Sequence, residues 1–328
     1  MEEKITKMGI LNTAIFSFNK GDYIIMESAK EQLKEIVQNK FTVEIATHAP
    51  LLHSYQFDKK MKKDLDELQV KFVCGTNLLS KSLFRRRTSW NINIFESHYL
   101  KNCVLLGVGA GNIGKFDFYT QKVLKKVLAK DYIHSVRDEE AKVMLESIGL
   151  QAINTGCPTL WNLNKEHCQQ IDTEKRGKVV FTLTDYKKDI VKDQMLINIL
   201  KANYKEIYFW VQGFKDFEYF RELENIEDIH ILYPEVSQYE SFLENNECDY
   251  VGTRLHAGIK AMQKKRRSII IIVDNRARSM KKDYQLNCIE RDEIEEKLES
   301  YIQSEIITDI TLKQENINKW KQQFLNKE

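Results

Sequence analysis

Residues 249–273, DYVGTRLHAGIKAMQKKRRSIIIIV, show the pattern that decides the fold. The stretch predicts a strand at Asp249–Val251, an amphipathic helix at Arg254–Lys264 and an apolar strand at Ser268–Asp274. Short strands that alternate with helices of this length are typical of βαβ units and a parallel sheet. The last strand is apolar without interruption, as expected when helices cover both faces of a sheet.

The same alternation extends along most of the chain. Further strands are predicted at Gly9–Phe18, Phe41–Thr47, Val70–Gly75, Cys103–Gly107, Tyr132–Ser135, Gln151–Asn154, Lys178–Thr184, Glu206–Gln212 and Ile229–Leu232. Further helices are predicted at Tyr23–Gln38, Tyr119–Lys130, Arg137–Ile148, Lys187–Ala202, Val236–Asn245 and about Thr311–Asn326. The sequence therefore predicts an α/β protein built on parallel sheets.

The polar segment Glu166–Arg176 interrupts this alternation and precedes a new strand. We therefore predict an N-terminal domain over residues 1–170 and a C-terminal domain over residues 171–310, facing each other across a cleft. A helix within residues 311–328 would pack back on the first domain. The length of 328 residues is sufficient for about two domains.

Composition narrows the class of protein. The 50 basic and 48 acidic residues give a net charge of +2, which argues against a general nucleic-acid binder. The longest apolar run, Ser268–Val273, is far shorter than the roughly 20 residues that cross a bilayer, and the N-terminus does not resemble a signal peptide. The six cysteines lack metal-ligand spacing, so we expect reduced thiols, a cytoplasmic location and no metal site.

The turn after the first predicted strand is a candidate binding segment. It reads Ser17-Phe-Asn19-Lys-Gly21-Asp22, and ligands of open α/β sheets bind at such strand ends. Gly21 permits close approach of the backbone to a ligand, and Asp22 offers a carboxylate at the start of a helix. The alternative is that Asp22 or Asn19 simply caps the helix.

Two similar segments, Asp131–Arg137 and Asp249–Arg254, each combine a short strand with a Ser or Thr suited to N-capping and an arginine in the first helical turn. A cation there opposes the helix dipole unless an anion lies between the arginine and the helix amides. We therefore predict that Arg137 and Arg254 bind one anion from the two domains. The alternative is that each arginine points into solvent or pairs with a neighbouring acid such as Glu139.

His256 lies two residues beyond Arg254 and is the candidate for proton transfer, because histidine exchanges a proton near neutral pH. Separately, Gly109–Gly114 forms a literal GxGxxG between a predicted strand and a predicted helix. Such a loop can hold a phosphate or a dinucleotide. It follows the fourth predicted strand and not the first, so an anion-binding loop is favoured over a dinucleotide site.

Together these motifs resemble those of the polysaccharide pyruvyl transferases. The resemblance includes Asn19-Lys-Gly21-Asp22, Leu106-Gly107-Val-Gly109, Ser135-Val-Arg137-Asp138 and above all Arg254-Leu255-His256, and it continues through Ser268–Met280. The motifs keep the family's order along nearly the whole chain.

The resemblance implies a glycosyltransferase-B-like fold of two Rossmann-like domains, with phosphoenolpyruvate as donor and no other cofactor. It implies transfer of the pyruvyl group to two hydroxyls of one sugar, which forms a cyclic ketal and releases phosphate. His256 would transfer the proton, and Asp22 would orient or deprotonate the acceptor hydroxyl. Substrate would lie against Asn19, Gly21, Gly109, Arg137, Arg254, Leu255 and Arg276.

Two positions depart from the family pattern. Where the family often has an acid before a proline, this chain has Gly156-Cys157-Pro158, and we do not expect Cys157 to be a nucleophile. Arg276 takes the place of a lysine near the end of the next strand. The rigid fork of an arginine suits bidentate contacts with an anion.

Other interpretations of the sequence stay open. A nucleotide-sugar-dependent glycosyltransferase of the same fold would fit most of the pattern, and a dinucleotide-binding protein would fit Gly109–Gly114. Arg85–Arg87 lies near Trp90 and is interpreted either as a solvated surface or as a contact for a lipid-pyrophosphate-linked sugar or the inner face of the membrane.

Overall fold

Strands and helices alternate along the chain, as the sequence predicts. The computed structural model describes residues 5–49, 58–84 and 90–325. The strands are β1 (Lys7–Asn12), β2 (Phe41–Ala46), β3 (Val70–Cys74), β4 (Leu79–Ser80), β5 (Cys103–Leu106), β6 (Ala110–Asn112), β7 (His134–Val136), β8 (Ala152–Asn154), β9 (Lys178–Thr182), β10 (Glu206–Trp210), β11 (His230–Leu232), β12 (Cys248–Gly252), β13 (Ser268–Ile272) and β14 (Cys288–Glu290).

The α-helices are α1 (Lys20–Val37), α2 (Lys59–Asp66), α3 (Phe118–Val127), α4 (Glu139–Glu146), α5 (Lys165–Cys168), α6 (Ile190–Asn203), α7 (Asp216–Phe220), α8 (Val236–Asn245), α9 (Leu255–Gln263), α10 (Asn275–Tyr284), α11 (Glu299–Gln303) and α12 (Gln314–Leu325). Short 3₁₀ turns cover Glu96–His98, Pro158–Leu160, Asp185–Lys187 and Arg291–Glu293, and a π-helical turn covers Ile294–Leu298. Among the described residues, no helix has the length and apolarity needed to cross a bilayer.

Contacts divide the described residues into two units. The first unit contains the described residues within Met1–Ser17, Ile25–Pro158 and Lys313–Glu328. The second unit contains the described residues within Phe18–Ile24 and Thr159–Leu312. The start of α1, through Ile24, is therefore grouped with the second unit. The sequence-based domains over residues 1–170 and 171–310 stay predictions.

The sheet of the second unit has the order β11-β10-β9-β12-β13-β14, and neighbouring strands are parallel. Numbered within this unit, the order is 3-2-1-4-5-6, the order of the Rossmann fold. The direction of winding reverses between β9 and β12. Ligands of such sheets bind beside this reversal, at the carboxyl ends of the strands. The residues that follow β9 and β12 are therefore the expected site of this unit.

The first unit contains a parallel sheet of order β2-β1-β3-β5. A parallel pair, β7 and β8, lies next to it, because Val108 after β5 bridges to Val136 of β7. The side chains of β3 and β5 are all buried, which agrees with strands covered on both faces. Helix α12 belongs to this unit, and its Trp320 and Phe324 rings contact the ring of Phe72 in β3.

The apolar runs that predict strands are confirmed as strands, with ends that mostly differ by one to three residues. The exception is Gly9–Phe18, whose strand β1 ends at Asn12 and is followed by a turn. Among the elements that the sequence analysis did not predict are α10 and β14. Helix α10 is largely polar and buries only Ala277, Met280 and Tyr284, so its apolar periodicity is weak. Strand β14 has three residues, which is too short to show a pattern.

Candidate functional site

The turn after β12 is fixed by hydrogen bonds to the end of β9. The Thr253 amide donates to the Thr182 carbonyl at 3.0 Å, and the Tyr250 hydroxyl donates to the Arg254 carbonyl at 2.7 Å. A Cβ on Gly252 would lie 2.6 Å from the Thr182 amide nitrogen, so only glycine permits this approach. The backbone that carries Arg254 into α9 is therefore rigidly placed.

The predicted N-caps are wrong. Arg254 occupies the N-cap position of α9, while the Thr253 side chain contacts another threonine hydroxyl. In the first unit, Asp138 caps α4 by accepting from the Ala141 amide at 2.7 Å, and Ser135 lies within β7. Neither arginine is therefore in a first helical turn: Arg254 holds the cap, and Arg137 precedes it.

The guanidinium of Arg254 is buried and already paired. Its Nε donates to the Leu183 carbonyl at 3.0 Å and to Asp216 Oδ2 at 3.1 Å, and its Nη2 donates to Asp185 Oδ1 at 2.9 Å and also bonds Asp216. Burial disfavours the charged guanidinium, but the Asp216 carboxylate outweighs this and raises the pKa of Arg254. The structure thus supports the alternative in which this arginine pairs with acids, although these acids are distant in sequence: Asp185 begins a 3₁₀ turn and Asp216 begins α7.

One nitrogen of this guanidinium has no such partner. The hydrogen bonds of Arg254 use Nε and Nη2, and within the described part of the chain Nη1 donates to no acceptor. Arg254 lines an open cavity in the second unit, at the carboxyl ends of the strands. The cavity is lined by Asn19, Tyr186, Gln212, Thr253, Arg254, Leu255, His256, Val273, Asp274, Arg276 and Ala277.

Tyr186 contacts both arginines of the cavity. Its ring lies 5.1 Å from Arg254 Cζ, a cation–π distance, and its hydroxyl accepts from Arg276 Nη2 at 2.6 Å. Arg276 also donates from Nε to Asp274 Oδ2 at 2.9 Å. Burial disfavours the charge of Arg276, but Tyr186 and Asp274 outweigh it and raise the pKa of this arginine.

The segment around Asn19 lies beside the end of β10. The Lys20 amide donates to the Gln212 carbonyl at 2.9 Å, and Asn19 pairs with Gly213 in an isolated antiparallel β-bridge. Asn19 Oδ1 accepts from the Gly21 amide at 3.0 Å, so Asn19 rather than Asp22 acts as the helix cap. Asp22 is buried in the first turn of α1.

The Gln212 side chain has a fixed orientation. Its Nε2 donates to Asn19 Oδ1 at 2.8 Å, and that oxygen is identified as an acceptor because it also receives the Gly21 amide. A flipped Gln212 amide would place two oxygens against each other. Gln212 Oε1 is therefore the remaining acceptor of this side chain, and it is buried without a hydrogen-bond partner among the residues that the structure describes.

In the first unit, Arg137 and Gly109 lie together. A Cβ on Gly109 would lie 2.3 Å from Arg137 Nε, so glycine makes room for the guanidinium. Arg137 is buried, bonds the Asn77 side chain and lies 3.8 Å from Asp138 Oδ2. Burial raises the pKa of the Asp138 carboxyl despite this arginine.

The expected phosphate loop at Gly109–Gly114 is a strand. Residues Ala110–Asn112 form β6, which pairs with β4, and α3 begins only at Phe118. The glycines therefore do not open onto a helix N-terminus. The segment is therefore not a loop that leads directly into a helix, which removes the context of the dinucleotide motif, whereas substrate binding at Gly109 stays a prediction.

The structure thus groups five of the predicted residues in one cavity: Asn19, Arg254, Leu255, His256 and Arg276. His256 is buried as the second residue of α9. Gly21 and Asp22 follow Asn19 along α1, whereas Arg137 and Gly109 belong to the other unit.

Sequence reasoning missed Tyr186, Gln212 and Asp216. Tyr186 and Gln212 come shortly after β9 and β10, so the strand-end rule would have found them. Cys157 is buried as a thiol. No cluster of possible metal ligands occurs within residues 5–49, 58–84 and 90–325, and Arg85–Arg87 lies outside these residues.

Comparison with solved structures supports the fold. A Staphylococcus aureus MnaA–UDP co-structure aligns with a TM-score of 0.50 at 10% identity, covering 93% of this chain and 92% of that chain. A Methanocaldococcus jannaschii UDP-GlcNAc 2-epimerase complex with UDP-GlcNAc and UDP aligns with a TM-score of 0.46 at 14% identity, covering 90% and 92%. A Listeria monocytogenes putative UDP-N-acetylglucosamine 2-epimerase aligns with a TM-score of 0.48 at 10% identity, covering 98% and 91%. The two-unit Rossmann-like chain has a glycosyltransferase-B-like fold.

Sequence comparison identifies the family. No curated protein sequence matches the chain significantly. A sequence profile of the polysaccharide pyruvyl transferases matches residues 19–275, which begin at Asn19 and extend past the Arg254-Leu255-His256 turn. This match covers most of the chain, and the chain belongs to the polysaccharide pyruvyl transferase family.

Proposed function

We propose that the protein transfers the pyruvyl group of phosphoenolpyruvate to two hydroxyls of one sugar, in a surface polysaccharide or its lipid-linked precursor. The product is a cyclic pyruvate ketal, and phosphate is released. The observation that carries this proposal is the cavity that joins Asn19, Arg254, His256 and Arg276 at the strand-order reversal of a Rossmann sheet.

The arginines of the cavity supply the donor site. Arg254 offers Nη1, while Asp216 fixes the rest of its guanidinium. Arg276 is held by Asp274 and Tyr186. A carboxylate or phosphate accepts charge-assisted, bidentate bonds from such preorganised forks. Asp185, which is 21% exposed in its side chain, is the partner that the donor's carboxylate displaces from Arg254. Arg137 and Gly109 stay sequence-based predictions for substrate binding.

His256 supplies the proton in this scheme. Protonation of the methylene carbon of phosphoenolpyruvate gives an oxocarbenium-like centre at C2, which the first sugar hydroxyl attacks. Departure of phosphate re-forms such a centre, and the second hydroxyl closes the ketal. One of the two hydroxyl protons returns to His256, and the other leaves with phosphate. Arginine contacts stabilise the departing phosphate.

The acceptor sugar lies beside Gln212 in this scheme. Gln212 Oε1 is a buried acceptor of fixed orientation, so it suits a sugar hydroxyl as its donor. Asp22, close by in the first turn of α1, orients or deprotonates that hydroxyl. Leu255 lines the same cavity, and Gly21 stays a sequence-based prediction for substrate binding.

Phosphate release from phosphoenolpyruvate, measured across a panel of free and lipid-linked sugars, tests the function. Positioned acid–base catalysis contributes roughly 10²–10⁴-fold, so His256→Ala should lower turnover by at least about 100-fold while donor binding persists. Arg254→Ala should mainly weaken donor binding. His230→Ala is the matched control, because His230 is an exposed histidine of the same unit.

A thermal-shift titration separates this function from the other classes. Stabilisation by phosphoenolpyruvate, with none by nucleotide sugars or NAD, supports the proposal. Stabilisation and turnover with a nucleotide sugar, together with indifference to phosphoenolpyruvate, would identify a glycosyltransferase instead. Retention of more than about a tenth of turnover by His256→Ala would remove the acid role from this histidine.

A further inference from the structure

The first unit exposes large apolar side chains around the beginning of α3. Phe118 is 82% exposed, Phe84 75%, Phe95 62% and Ile113 59%. A single exposed apolar residue is ordinary, but a group of them on one surface marks an interaction site.

Contacts of Tyr119 and Lys81 bring together the segments that carry these side chains. The ring of Tyr119, the neighbour of Phe118, lies 5.5 Å from the ring of Phe84. The Tyr119 hydroxyl accepts from the amide of Ile94, the neighbour of Phe95, at 3.0 Å. The segments that carry Phe84, Phe95 and Phe118 therefore meet at this tyrosine.

Backbone hydrogen bonds of Lys81 link the segment that carries Ile113 to the beginning of α3. Its amide donates to the carbonyl of Asn112, the neighbour of Ile113, at 3.0 Å. Its carbonyl accepts from the amide of Asp117, the neighbour of Phe118, at 2.9 Å. We call the surface formed by Phe84, Phe95, Ile113 and Phe118 the α3 surface.

Lysines accompany the α3 surface. Lys122 and Lys125 follow Phe118 by four and seven residues, so all three lie on one face of α3, and both lysines are exposed. Lys81 and Lys115 are exposed on the adjoining segments.

The acidic residues of these described segments do not offset the lysines at the surface. Glu96 is buried and accepts from the Asn93 amide at 3.1 Å. Asp117 caps α3 by accepting from the Thr120 amide at 2.7 Å, and hydrogen bonding holds the pKa of its carboxyl below the usual value despite burial. The exposed charge of the α3 surface is therefore positive.

We propose that the α3 surface binds an anionic membrane surface, with its aromatic side chains in the interface and its lysines on lipid phosphates. Interfacial membrane binding combines burial of apolar side chains with attraction of basic side chains to anionic lipids. The α3 surface offers both, because its exposed aromatic and aliphatic side chains lie among lysines and its described segments carry no fully exposed acid. A protein partner of ordinary composition would place acids opposite these lysines but would not require four protruding apolar side chains. The inference does not depend on the proposed reaction, since vesicle binding is measured without substrate.

Co-sedimentation of the full chain with phosphatidylcholine vesicles, with and without phosphatidylglycerol, tests the proposal. Binding should require phosphatidylglycerol and weaken as salt rises. The double variant Phe84→Ser, Phe118→Ser should lower the partition coefficient at least about tenfold through lost apolar burial. Lys122→Gln with Lys125→Gln should lower it about fivefold per lysine.

Phe41→Ser is the matched control, because Phe41 is 60% exposed on β2 of the same unit. This variant should bind vesicles like the wild type. Circular dichroism melts establish that each variant folds. We expect folding to be retained because Phe84 and Phe118 are largely exposed and contribute little to the core.

A second measurement places the surface in the bilayer. The four tryptophans are buried, so Phe118→Trp introduces an exposed reporter whose emission should shift to the blue and be quenched by brominated lipids. The proposal is overturned if the wild type does not bind anionic vesicles at low salt, or if the Phe84→Ser, Phe118→Ser variant binds as well as Phe41→Ser. It is also overturned if those phenylalanine changes only convert a self-associated chain to monomer.

Discussion

Gly213 lets the buried Arg254 guanidinium lie against the backbone at the end of β10. A Cβ at this position would be 2.1 Å from Arg254 Nη2 and 2.8 Å from Asp216 Oδ1. The Gly213 backbone is outside the positive-φ region, so alanine meets no conformational strain and the added methyl group acts alone. The Gly213→Ala substitution is therefore a direct test of this geometry.

The expected size of the effect depends on how far the added methyl group displaces the Arg254 guanidinium. The guanidinium is held by Asp185, Asp216 and the Leu183 carbonyl, so it cannot rotate away without loss of bonds. Overpacking of a well-packed site costs about 1–3 kcal/mol, so we expect the free energy of unfolding to fall by that amount. Displacement of Nη1 should also weaken a charge-assisted bond to the donor, raising the KM for phosphoenolpyruvate about tenfold or more.

Urea unfolding and phosphate-release kinetics measure the two effects. Gly177→Ala is the matched control, since Gly177 is in the same unit with no atom within 4 Å of its added Cβ. That variant should match the wild type in both assays. If Gly213→Ala is as stable as Gly177→Ala and keeps the wild-type KM, the close packing of Arg254 against β10 is refuted.

Three further changes test other parts of the structure. Tyr186→Phe removes the acceptor of Arg276 but keeps the ring on Arg254, so the KM for phosphoenolpyruvate should rise about fivefold with unchanged kcat; an unchanged KM would exclude this positioning role. Asp249→Asn leaves the fully buried Arg267 without its charged partner and should lower the free energy of unfolding by about 3–5 kcal/mol in urea titrations, and a loss below about 1 kcal/mol would contradict the pairing. Burial lowers the pKa of His134 from its usual 6.5 to about 4 in the folded chain. Its neutral ring therefore contributes stability that is fully present above pH 6.5 and is lost as the pH falls toward 4. That contribution is about 3 kcal/mol, and urea titrations from pH 7 to 4 should show a flatter pH dependence for His134→Gln than for the wild type.

The tautomer of His134 gives this last prediction its direction. The Leu105 amide donates to Nδ1 at 3.2 Å, so Nδ1 is the acceptor, and Nε2 donates to the Ala129 carbonyl at 3.0 Å. A second proton on Nδ1 would break the bond from Leu105 inside the core of the first unit. Protonation therefore favours the unfolded chain.

The residues of the candidate site were selected from the sequence in two ways. The strand-end rule and the residue types selected Asn19, Arg254 and His256, and the structure places them along one cavity. Leu255 and Arg276 came from the family resemblance and line the same cavity. Assignments that depend on local backbone geometry were less successful: the N-caps were misplaced by one to three residues, and β6 was mistaken for a loop.

The sequence by itself determined the α/β class, the strands and the chemistry-bearing turn after β12, because apolar periodicity and strand-end composition are local properties. Only the tertiary structure decided what surrounds that turn. The acids that hold Arg254, Asp185 and Asp216, lie 69 and 38 residues away, and Gln212 meets Asn19 across 193 residues. The acids reach Arg254 because the strand order places β9 beside β12 and β10 on the other side of β9, and strand order depends on long-range packing that no local pattern encodes.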